Sequence, residues 1–574
     1  MKRSIQVALA PLLLSLGTAA LALAPGERVD DFRLTDHHGK SHALYYLSDH
    51  KAVVLYVQQN GCEAAARDIE RLNALDQRYG DKGVAIVMLN PSANDTRENV
   101  TSEMARLGTS IPVLLDPLQL IGESLDAKRA GEALVIDPSG WKLAYRGPLD
   151  DVTPVLDATL AGGTIAAAAR KVRGCKIKLR EHDRHRAHAR ISYEKTIAPL
   201  LLDKCVACHR SGGIGPWQMS SYQMIKGFAP MIREVVRTQR MPPWHADPHH
   251  GTFSNDRSLT AEQTKALVHW IEAGAPRGKG SDPLTADPRQ WPTWHLGPPD
   301  LIVEIPAFDV PATGTIAYQQ RTVKNPLGRD VWLRAIDVSP THRSVVHHIL
   351  SGTTGERSAS PLARLEATTA LGVYVPGDVP HELPENTGVF IPKGADFTFQ
   401  IHYTADGKAK QEVTRVGLYF AKATPTYPLR NTVLIDTRLK IPALAKEHDA
   451  SVTRQITRDT LIYTLMAHSH VRGRSAQFVA IYPDGKEEVL LSVPHYDFNW
   501  QTSYELAQPK LLPKGSRLVY SSTYDNSRQN KANPDPNSEV RWGEQTWEEM
   551  LYGDVRFRYV DETTDPRMSA TAAN

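Results

Sequence analysis

The stretch Ala52-Val-Val-Leu-Tyr-Val57 decides how the first part of the chain folds. This continuous apolar run, rich in β-branched residues, predicts a strand that is buried on both faces of a sheet. A helical pattern follows from Ala64 to Tyr79, and further apolar runs predict strands at Gly83–Leu89, Ile111–Leu115 and Ala133–Ile136. Strands and helices alternating at this spacing predict an α/β domain with a central sheet over residues 25–165.

Cys62 lies at the first strand-to-helix junction, where a helix N-terminus favours a thiolate. The stretch resembles the redoxin branch of the thioredoxin-like fold, but the reactive motifs are incomplete. Ala65 stands where a dithiol motif has its second cysteine, and Leu55 and Gln59 stand where the peroxiredoxin pattern has Pro and Thr. Two interpretations remain open: Cys62 is structural and pairs with Cys175, or it is a redox-active thiol.

Composition narrows the classes of function. The 574 residues carry 67 Lys and Arg against 64 Asp and Glu, so the formal net charge is only +3 and gives no reason to expect a nucleic-acid partner. Hydrophobic residues make up 41% and charged residues 23%, which argues against a mainly disordered or membrane-embedded chain. Four cysteines in this length exclude a disulfide-framework protein.

The N-terminus predicts export. Lys2 and Arg3 precede an apolar run from Ile5 to about Ala22, and Ala20-Leu-Ala22 fits a small-x-small cleavage site. Residues 1–22 are therefore interpreted as a secretory signal peptide, with an uncleaved membrane anchor as the alternative. The prediction is a periplasmic or secreted protein without stable membrane insertion.

The middle of the chain contains a haem-attachment sequence. Cys205-Val-Ala-Cys208-His209 is the Cys-x-x-Cys-His pattern of c-type haem, in which the thiols bind the porphyrin and the histidine binds iron. Half of a zinc site is the alternative, but no second cysteine pair completes it. Met241, followed by Pro-Pro-Trp, is predicted as the sixth iron ligand and resembles the Met-Pro-Pro segment of small cytochromes c. The competing methionines are Met219, Met224 and Met231.

The remaining pattern divides the chain into further segments. Between Arg170 and Arg190 there are nine Lys or Arg and two acidic residues, which is typical of a solvated linker. From Asp300 onward, alternating strands punctuated by Pro and Gly predict two antiparallel β-sandwiches of jelly-roll type. The predicted segments are a basic linker at 166–190, a small all-α cytochrome c-like domain at 191–280, a Pro-rich linker at 281–299, sandwiches at 300–430 and 431–562, and a disordered tail at 563–574.

Histidines in the C-terminal half fall on strand-like segments. They are His347-His348, His402, His468-x-His470 and the single His495. Residues two apart on a strand share a face, so His468 and His470 should converge, whereas adjacent His347 and His348 can share a metal only at a strand end or bulge. No cysteine follows residue 208, so a metal here must bind imidazole, carboxylate or thioether.

Residues 300–560 resemble the copper type II, ascorbate-dependent monooxygenases, the group of peptidylglycine α-hydroxylating and dopamine β-monooxygenase. The matching motifs are His347-His348, Gln400-Ile-His402-Tyr403, His468-Ser-His470, Tyr524-Asp-Asn526 and Trp547-Glu-Glu-Met550. The resemblance implies one copper on His347, His348 and His402. It implies a second on His468, His470 and Met550, where O₂ would bind, and a cleft between the two sets for the substrate.

This chain departs from the peptide-hydroxylating members. They carry an Arg, an Asn and a Tyr where this chain has Met466, Tyr552 and Asp554, so a peptide carboxylate lacks its bidentate partner. The sequence predicts an exported monooxygenase that uses two coppers, one covalent haem c and O₂ to hydroxylate a small molecule, with electrons relayed through the haem from an exported donor. The alternative is a non-catalytic copper-handling or electron-transfer protein with a thiol-redox module.

Overall fold

The computed structural model describes residues 23–163, 168–180, 184–287, 289, 291–354, 369–377 and 379–564. The predicted signal peptide and most of the predicted tail lie outside these residues. The chain divides into two compact units. One contains Leu47–Asp183 together with the residues up to Asp30, and the other contains Asp31–Tyr46 and the chain from Arg184 onward. No helix among the described residues is long and apolar enough to span a membrane.

A short hairpin near the N-terminus belongs to the second unit. It pairs β1 (Arg33–Thr35) with β2 (Ser41–Ala43) in antiparallel register. The sequence placed these residues in the α/β domain of 25–165, so the boundary of that domain is more complicated than the pattern predicted.

The first unit is built on a six-stranded mixed sheet in the order β5-β4-β3-β6-β7-β8. Its strands are β3 (Ala52–Val57), β4 (Val84–Asn90), β5 (Val113–Leu115), β6 (Glu132–Asp137), β7 (Lys142–Pro148) and β8 (Ala168–Ala169). Its helices are α1 (Glu63–Tyr79), α2 (Arg97–Leu107), α3 (Leu120–Ser124) and α4 (Val152–Leu160). All six residues of β3 are buried, as expected for a central strand covered on both faces. The predicted thioredoxin-like α/β domain is confirmed.

The basic segment after this domain is not a free linker in its described part. Strand β8 pairs with β7, and the backbone amides of Ala130 and Ile177 donate to the carbonyls of Cys175 and Lys128. Residues 168–180 therefore lie along the first unit, because their backbone groups find partners there despite their charge.

The second unit begins with four short helices around a small core. They are α5 (His185–His188), α6 (Ala198–Lys204), α7 (Tyr222–Arg237) and α8 (Ala261–Glu272), and a π-helical turn spans Tyr193–Ile197. Tyr193 and Trp270 are fully buried, with ring centroids 5.8 Å apart, and Tyr222 packs edge-on against Tyr193. This packing fixes the helices around the Cys205–His209 segment.

Two β-sandwiches follow, whose strands pair antiparallel except for β15 and β19. The first contains sheets β11-β16-β13-β14 and β19-β15-β12-β18-β9, and the second contains sheets β20-β29-β23-β26 and β22-β27-β24-β25; the pairs β10-β17 and β21-β28 complete them. The strands of the first are β9 (Leu301–Glu304), β10 (Phe308–Val310), β11 (Gln319–Val323), β12 (Val331–Pro340), β13 (Val346–Thr353), β14 (Thr369–Tyr374), β15 (Thr387–Ile391), β16 (Phe397–Tyr403), β17 (Lys410–Glu412), β18 (Thr414–Phe420) and β19 (Tyr427–Pro428). Those of the second are β20 (Arg430–Ile435), β21 (Lys440–Ile441), β22 (His448–Gln455), β23 (Thr460–His468), β24 (Gly473–Ile481), β25 (Glu487–Val493), β26 (Ser503–Leu512), β27 (Arg517–Tyr524), β28 (Val540–Arg541) and β29 (Tyr552–Tyr559).

Each sandwich has its own hydrophobic core. Phe397, Phe399 and Ile401 of β16 point into the first core, and Phe478 and Tyr520 lie in the second. Thr398 and Gln400 alternate with the core residues and are half-buried, which is the period-two pattern of a strand with one covered face. The β-rich C-terminal region expected from the sequence is confirmed.

Candidate metal centre

The first histidine set lies on two paired strands. His347 and His348 are on β13, and His402 is opposite His348 on β16. The pairing register shifts between Val346 and His348, so the strand is irregular where the two adjacent histidines stand. The Nδ1 atoms of His347 and His348 are 3.1 Å apart, and ligand atoms of the three residues all lie within 4.8 Å of one another. The irregularity thus brings both adjacent imidazoles to one site.

These three imidazoles are in the state that binds a metal. Burial lowers the pKa of His347 to about 4 and that of His402 to about 3, and it holds the pKa of His348 well below its usual range. The rings are therefore neutral near pH 7. The Nε2 atom of His347 and the Nδ1 atom of His402 are buried without a hydrogen-bond partner. Such an orphaned nitrogen costs free energy unless it is coordinated, so the donor set fits a copper ion.

The second histidine set lies where β23 ends. His468 is its last residue, and His470 follows outside the strand. His468 pairs through Nδ1 with the Oε1 atom of Gln501 at 2.8 Å, and His470 pairs through Nδ1 with the carbonyl of Glu548 at 3.2 Å. Both contacts engage Nδ1 and leave Nε2 for a metal, and the Nε2 atom of His470 is buried without a partner. Burial lowers the pKa of His468 to about 4 and that of His470 well below its usual range.

A buried carboxylate joins Met550 to this second set. Glu549 is fully buried and accepts hydrogen bonds from the backbone amides of His470, Arg472 and Met550, the last two at 3.0 Å. Burial raises the pKa of Glu549 to about 7. The Tyr524 hydroxyl donates to the carbonyl of Met550 at 2.8 Å. The backbone of Met550 is therefore tied to that of His470, as a shared metal site requires.

The two sets form one cluster rather than two sites across an open cleft. The ring centroids of His348 and His468 are 6.4 Å apart, and those of His468 and His470 are 5.2 Å apart. The family resemblance had implied a cleft between the two sets. Instead, the five rings pack together, and the aromatic side chains of Tyr318 and Phe498 contact both sets.

Tyr318 and Phe498 were not predicted from the sequence. The Tyr318 ring lies 4.6 Å from that of His402 and 6.1 Å from that of His470, and the Phe498 ring lies 4.8 Å from that of His347 and 6.1 Å from that of His470. Gln501 and Glu549 were also missed. Single aromatic, amide or acidic residues carry no spacing signal, so only the fold shows what they contact.

The residues that replace the peptide-binding triad are accounted for by packing. Met466 is buried on β23, and the Tyr552 ring lies 5.6 Å from that of His468. Asp554 is half-buried and accepts a hydrogen bond of 2.7 Å from the Nδ2 atom of Asn431. An Arg is absent from the position of Met466, so these three side chains offer no bidentate partner for a substrate carboxylate.

The Cys-x-x-Cys-His segment directly follows helix α6 (Ala198–Lys204). Neither Cys205 nor Cys208 takes part in a disulfide, and burial raises the pKa of Cys205 to about 12. The Nδ1 atom of His209 lies 3.0 Å from the carbonyl of Trp217, which fixes the ring and leaves Nε2 for a metal. Met241 is half-buried, and its amide donates to the carbonyl of Val235. The haem ligands predicted from the sequence remain a prediction.

The competing methionines differ in burial. Met219 is buried, as core packing requires, whereas Met231 is 49% exposed and does not serve as a core residue. The Sγ atom of Cys208 lies against Gly377 of the first sandwich, where a Cβ would approach it to 3.0 Å. Arg257 donates to the carbonyl of Gly377 at 2.9 Å. The predicted haem segment is thus packed against a residue that follows strand β14 of the first sandwich.

In the first unit, Cys62 and Cys175 form a disulfide with a Cα–Cα distance of 5.9 Å. Cys62 is the N-cap residue of α1 and is buried. Of the two interpretations left open by the sequence, the structure has the pairing with Cys175, so Cys62 does not present a free thiol in this state.

Comparisons with known proteins agree with parts of this description. The redoxin family model matches residues 24–160, and the model of the copper type II ascorbate-dependent monooxygenase C-terminal domain matches residues 432–550. The second range includes His468, His470 and Met550, whereas His347, His348 and His402 lie outside both ranges. The two matches indicate a copper monooxygenase-like protein with a thiol-redox module.

Solved structures resemble part of the chain. A hypothetical protein from Sinorhizobium meliloti 1021 is 24% identical over 28% of this chain and 96% of its own, with a TM-score of 0.26. An uncharacterized conserved protein from Geobacillus kaustophilus is 26% identical over 27% and 92%, also at 0.26. Peroxidoxin BcpB from Mycobacterium tuberculosis is 18% identical over 25% and 95%, at 0.21. No curated protein matches the chain.

Proposed function

We propose that this protein is an exported, copper-dependent monooxygenase that hydroxylates a C–H bond of a small molecule with O₂. The observation that carries the proposal is the cluster of five buried, neutral histidines, three of which have a ring nitrogen without a hydrogen-bond partner. Copper bound there supplies the one-electron and O₂ chemistry of such an enzyme. The match of residues 432–550 supports the same assignment.

The chain's own residues would divide this work. His347, His348 and His402 would hold one copper, and His468, His470 and Met550 would hold the other. Gln501 and the Glu548 carbonyl orient the imidazoles of the second set, because each contacts the Nδ1 atom and directs Nε2 to the metal. Glu549 fixes the distance between the histidine and methionine backbones.

The haem segment would serve electron delivery. Cys205 and Cys208 would form the thioether bonds, with His209 and Met241 as axial ligands, and the bound haem supplies one-electron transfer. The contact of Cys208 with Gly377 supports delivery to the copper-type sandwiches rather than to a separate partner. An exported electron-donor protein would reduce this haem. The Cys62–Cys175 disulfide supports an oxidising compartment.

Substitution of Met550 distinguishes an enzyme from a copper carrier. A thioether favours Cu(I) over Cu(II), so Met550→Ala should retain Cu(II) and lose O₂ consumption with a reduced donor and candidate substrates. Copper content of the oxidised protein should not change, because a thioether contributes little to Cu(II) binding. The absorption of the reduced haem should not change either, since the haem does not use this sulfur. Leu511→Ala, at a side chain that is 46% exposed in the same sandwich, is the matched control.

Two results would change the assignment. If the unmodified protein never couples O₂ uptake to a product heavier by one oxygen atom, the protein is a copper-handling or electron-transfer protein, and Met550→Ala then only weakens Cu(I) retention. If the exported protein lacks the spectrum of a c-type haem, the haem is removed from the proposal while the copper centre remains.

A further inference from the structure

A second pair of buried histidines lies outside the five-histidine cluster. The rings of His245 and His495 are 4.9 Å apart at an angle of 60°. His245 follows Met241 closely in the chain, and His495 follows strand β25. The two residues are far apart in sequence, and neither is used by the proposed reaction. Their contact therefore needs an explanation of its own.

Both rings have a nitrogen that no described residue satisfies. The Nε2 atom of His245 and the Nδ1 atom of His495 are buried without a hydrogen-bond partner. An unsatisfied buried polar atom destabilises the fold, so two of them on touching rings are an unusual arrangement. Burial lowers the pKa of both rings, so each is neutral and offers a lone pair.

The charges around the pair are largely balanced. Arg33 is the cation that acts on both histidines, and Asp31 and Asp497 act on Arg33 in turn. Two further arginines near Arg33 have carboxylate partners: Arg474 pairs with Glu447 at 3.1 Å, and Arg240 pairs with Glu234 at 2.6 Å. A cation of low charge is compatible with these surroundings.

The backbone on both sides of the pair is fixed. The amide of Asp247, two residues after His245, donates to the carbonyl of Ser492 at 2.8 Å. Tyr496, next to His495, donates through its hydroxyl to the carbonyl of Ser469 at 2.6 Å and accepts from the Ser469 amide at 3.1 Å. The two imidazoles are thus positioned before any ligand arrives, which reduces the entropy cost of binding.

We propose that His245 and His495 bind one copper(I) ion, as a site separate from the five-histidine cluster. The number of ligating residues determines which metal ion fits. Among the described residues, the one group of three or more His, Cys, Asp or Glu that could share an ion is His347, His348 and His402, so this pair has no third ligand of that kind. Structural zinc takes four ligands and calcium or magnesium takes oxygen atoms, whereas imidazole suits copper and Cu(I) accepts a low number of ligands.

The histidine pair lies on two segments that also contribute to the proposed haem and copper sites. Its first ligand lies four residues after Met241, the predicted haem ligand, and its second lies three residues before Phe498. Phe498 stacks on His347 and contacts His470. The copper(I) ion would therefore stand between the segment that carries the haem ligand and the segment that covers the histidine cluster.

The test is an anaerobic titration of the full-length protein with copper(I) against a coloured Cu(I) chelator. His245→Gln and His495→Gln should each bind one copper fewer per chain than the unmodified protein. The double variant should lose no more than either single variant, since both residues hold the same ion. His249→Gln is the matched control, because this histidine lies on the same segment with its side chain 47% exposed, and it should keep the full copper content.

Unchanged copper content in both glutamine variants would overturn the proposal, and so would a double variant that loses two coppers. If a glutamine variant does not fold, His495→Met replaces it, since a thioether fills the buried site and still binds Cu(I). This variant should keep the copper content and gain copper–sulfur scattering in X-ray absorption; no gain contradicts the site. The difference of one copper does not depend on how many ions the five-histidine cluster holds, so the proposed function and this site can fail separately.

Discussion

The two histidine sets of the candidate centre are positioned by different parts of the structure. His347, His348 and His402 stand on strands β13 and β16, whose backbone pairing sets where each side chain points. His468 and His470 stand at the end of β23, where the backbone pairing stops and hydrogen bonds to side chains hold the residues in place. Gln501 and Glu549 are what hold the second set in place.

The two sets should therefore be disturbed by different substitutions. A backbone ladder does not depend on the identity of nearby side chains, so the first set should respond chiefly to loss of its own ligands. The second set depends on polar side chains that never touch the metal. Substitution of those side chains should therefore disturb the second site and leave the first unchanged.

The largest effect should come from a ligand of the first set. His402→Ala should lower the copper content by one ion per chain, because a site with three ligands loses most of its affinity for copper when one of them is removed. The fold should remain, since the β13–β16 pairing uses backbone groups. Copper per chain and thermal unfolding of the metal-free protein measure both parts. His448→Ala, at a half-buried histidine of β22, is the control. Tight binding of the full copper content in His402→Ala would refute the assigned ligands.

A carboxylate behind the second set should have the next largest effect. Glu549→Ala leaves the backbone amides of His470, Arg472 and Met550 without their acceptor. At about 1 kcal/mol or more for each buried donor, unfolding of the metal-free protein should become easier by about 3 kcal/mol. Denaturant titration measures this, with the exposed Glu544→Ala as the control. A loss below about 1 kcal/mol would show that the carboxylate does not organise this loop.

The same division explains what the sequence could predict. Alternating apolar residues fixed the face of His402 on β16, and the adjacency of His347 and His348 correctly required an irregular strand. Apolar continuity identified β3 and the α/β domain. These properties are local, because strand period and burial follow from neighbours in the chain.

Properties that depend on distant packing were not predictable. The family resemblance implied a cleft between the two histidine sets. Instead, the ring centroids of His348 and His468 are 6.4 Å apart, because the two sandwiches bring these rings together. Tyr318 and Phe498 belong to no spacing pattern, and the packing of residues 168–180 on the first unit depends on backbone acceptors that a charge count does not show. Long-range contacts of this kind are set by tertiary structure rather than by local propensity.

The smallest effect tests the second set without touching a ligand or the fold. Gln501→Ala removes the acceptor at 2.8 Å from the Nδ1 atom of His468, so the ring loses the contact that directs Nε2 to the metal. Loss of such a partner typically weakens metal binding about 10- to 100-fold. Competition with a chelator should show this for one copper only, while the copper on His347, His348 and His402 keeps its affinity. Gln501→Glu should restore binding, because a carboxylate accepts the same proton, and Asn499→Ala on the same loop should change nothing. An equal loss of affinity for both copper ions would mean that the two histidine sets act as one site. The first set would then not be positioned independently of the side chains that hold the second.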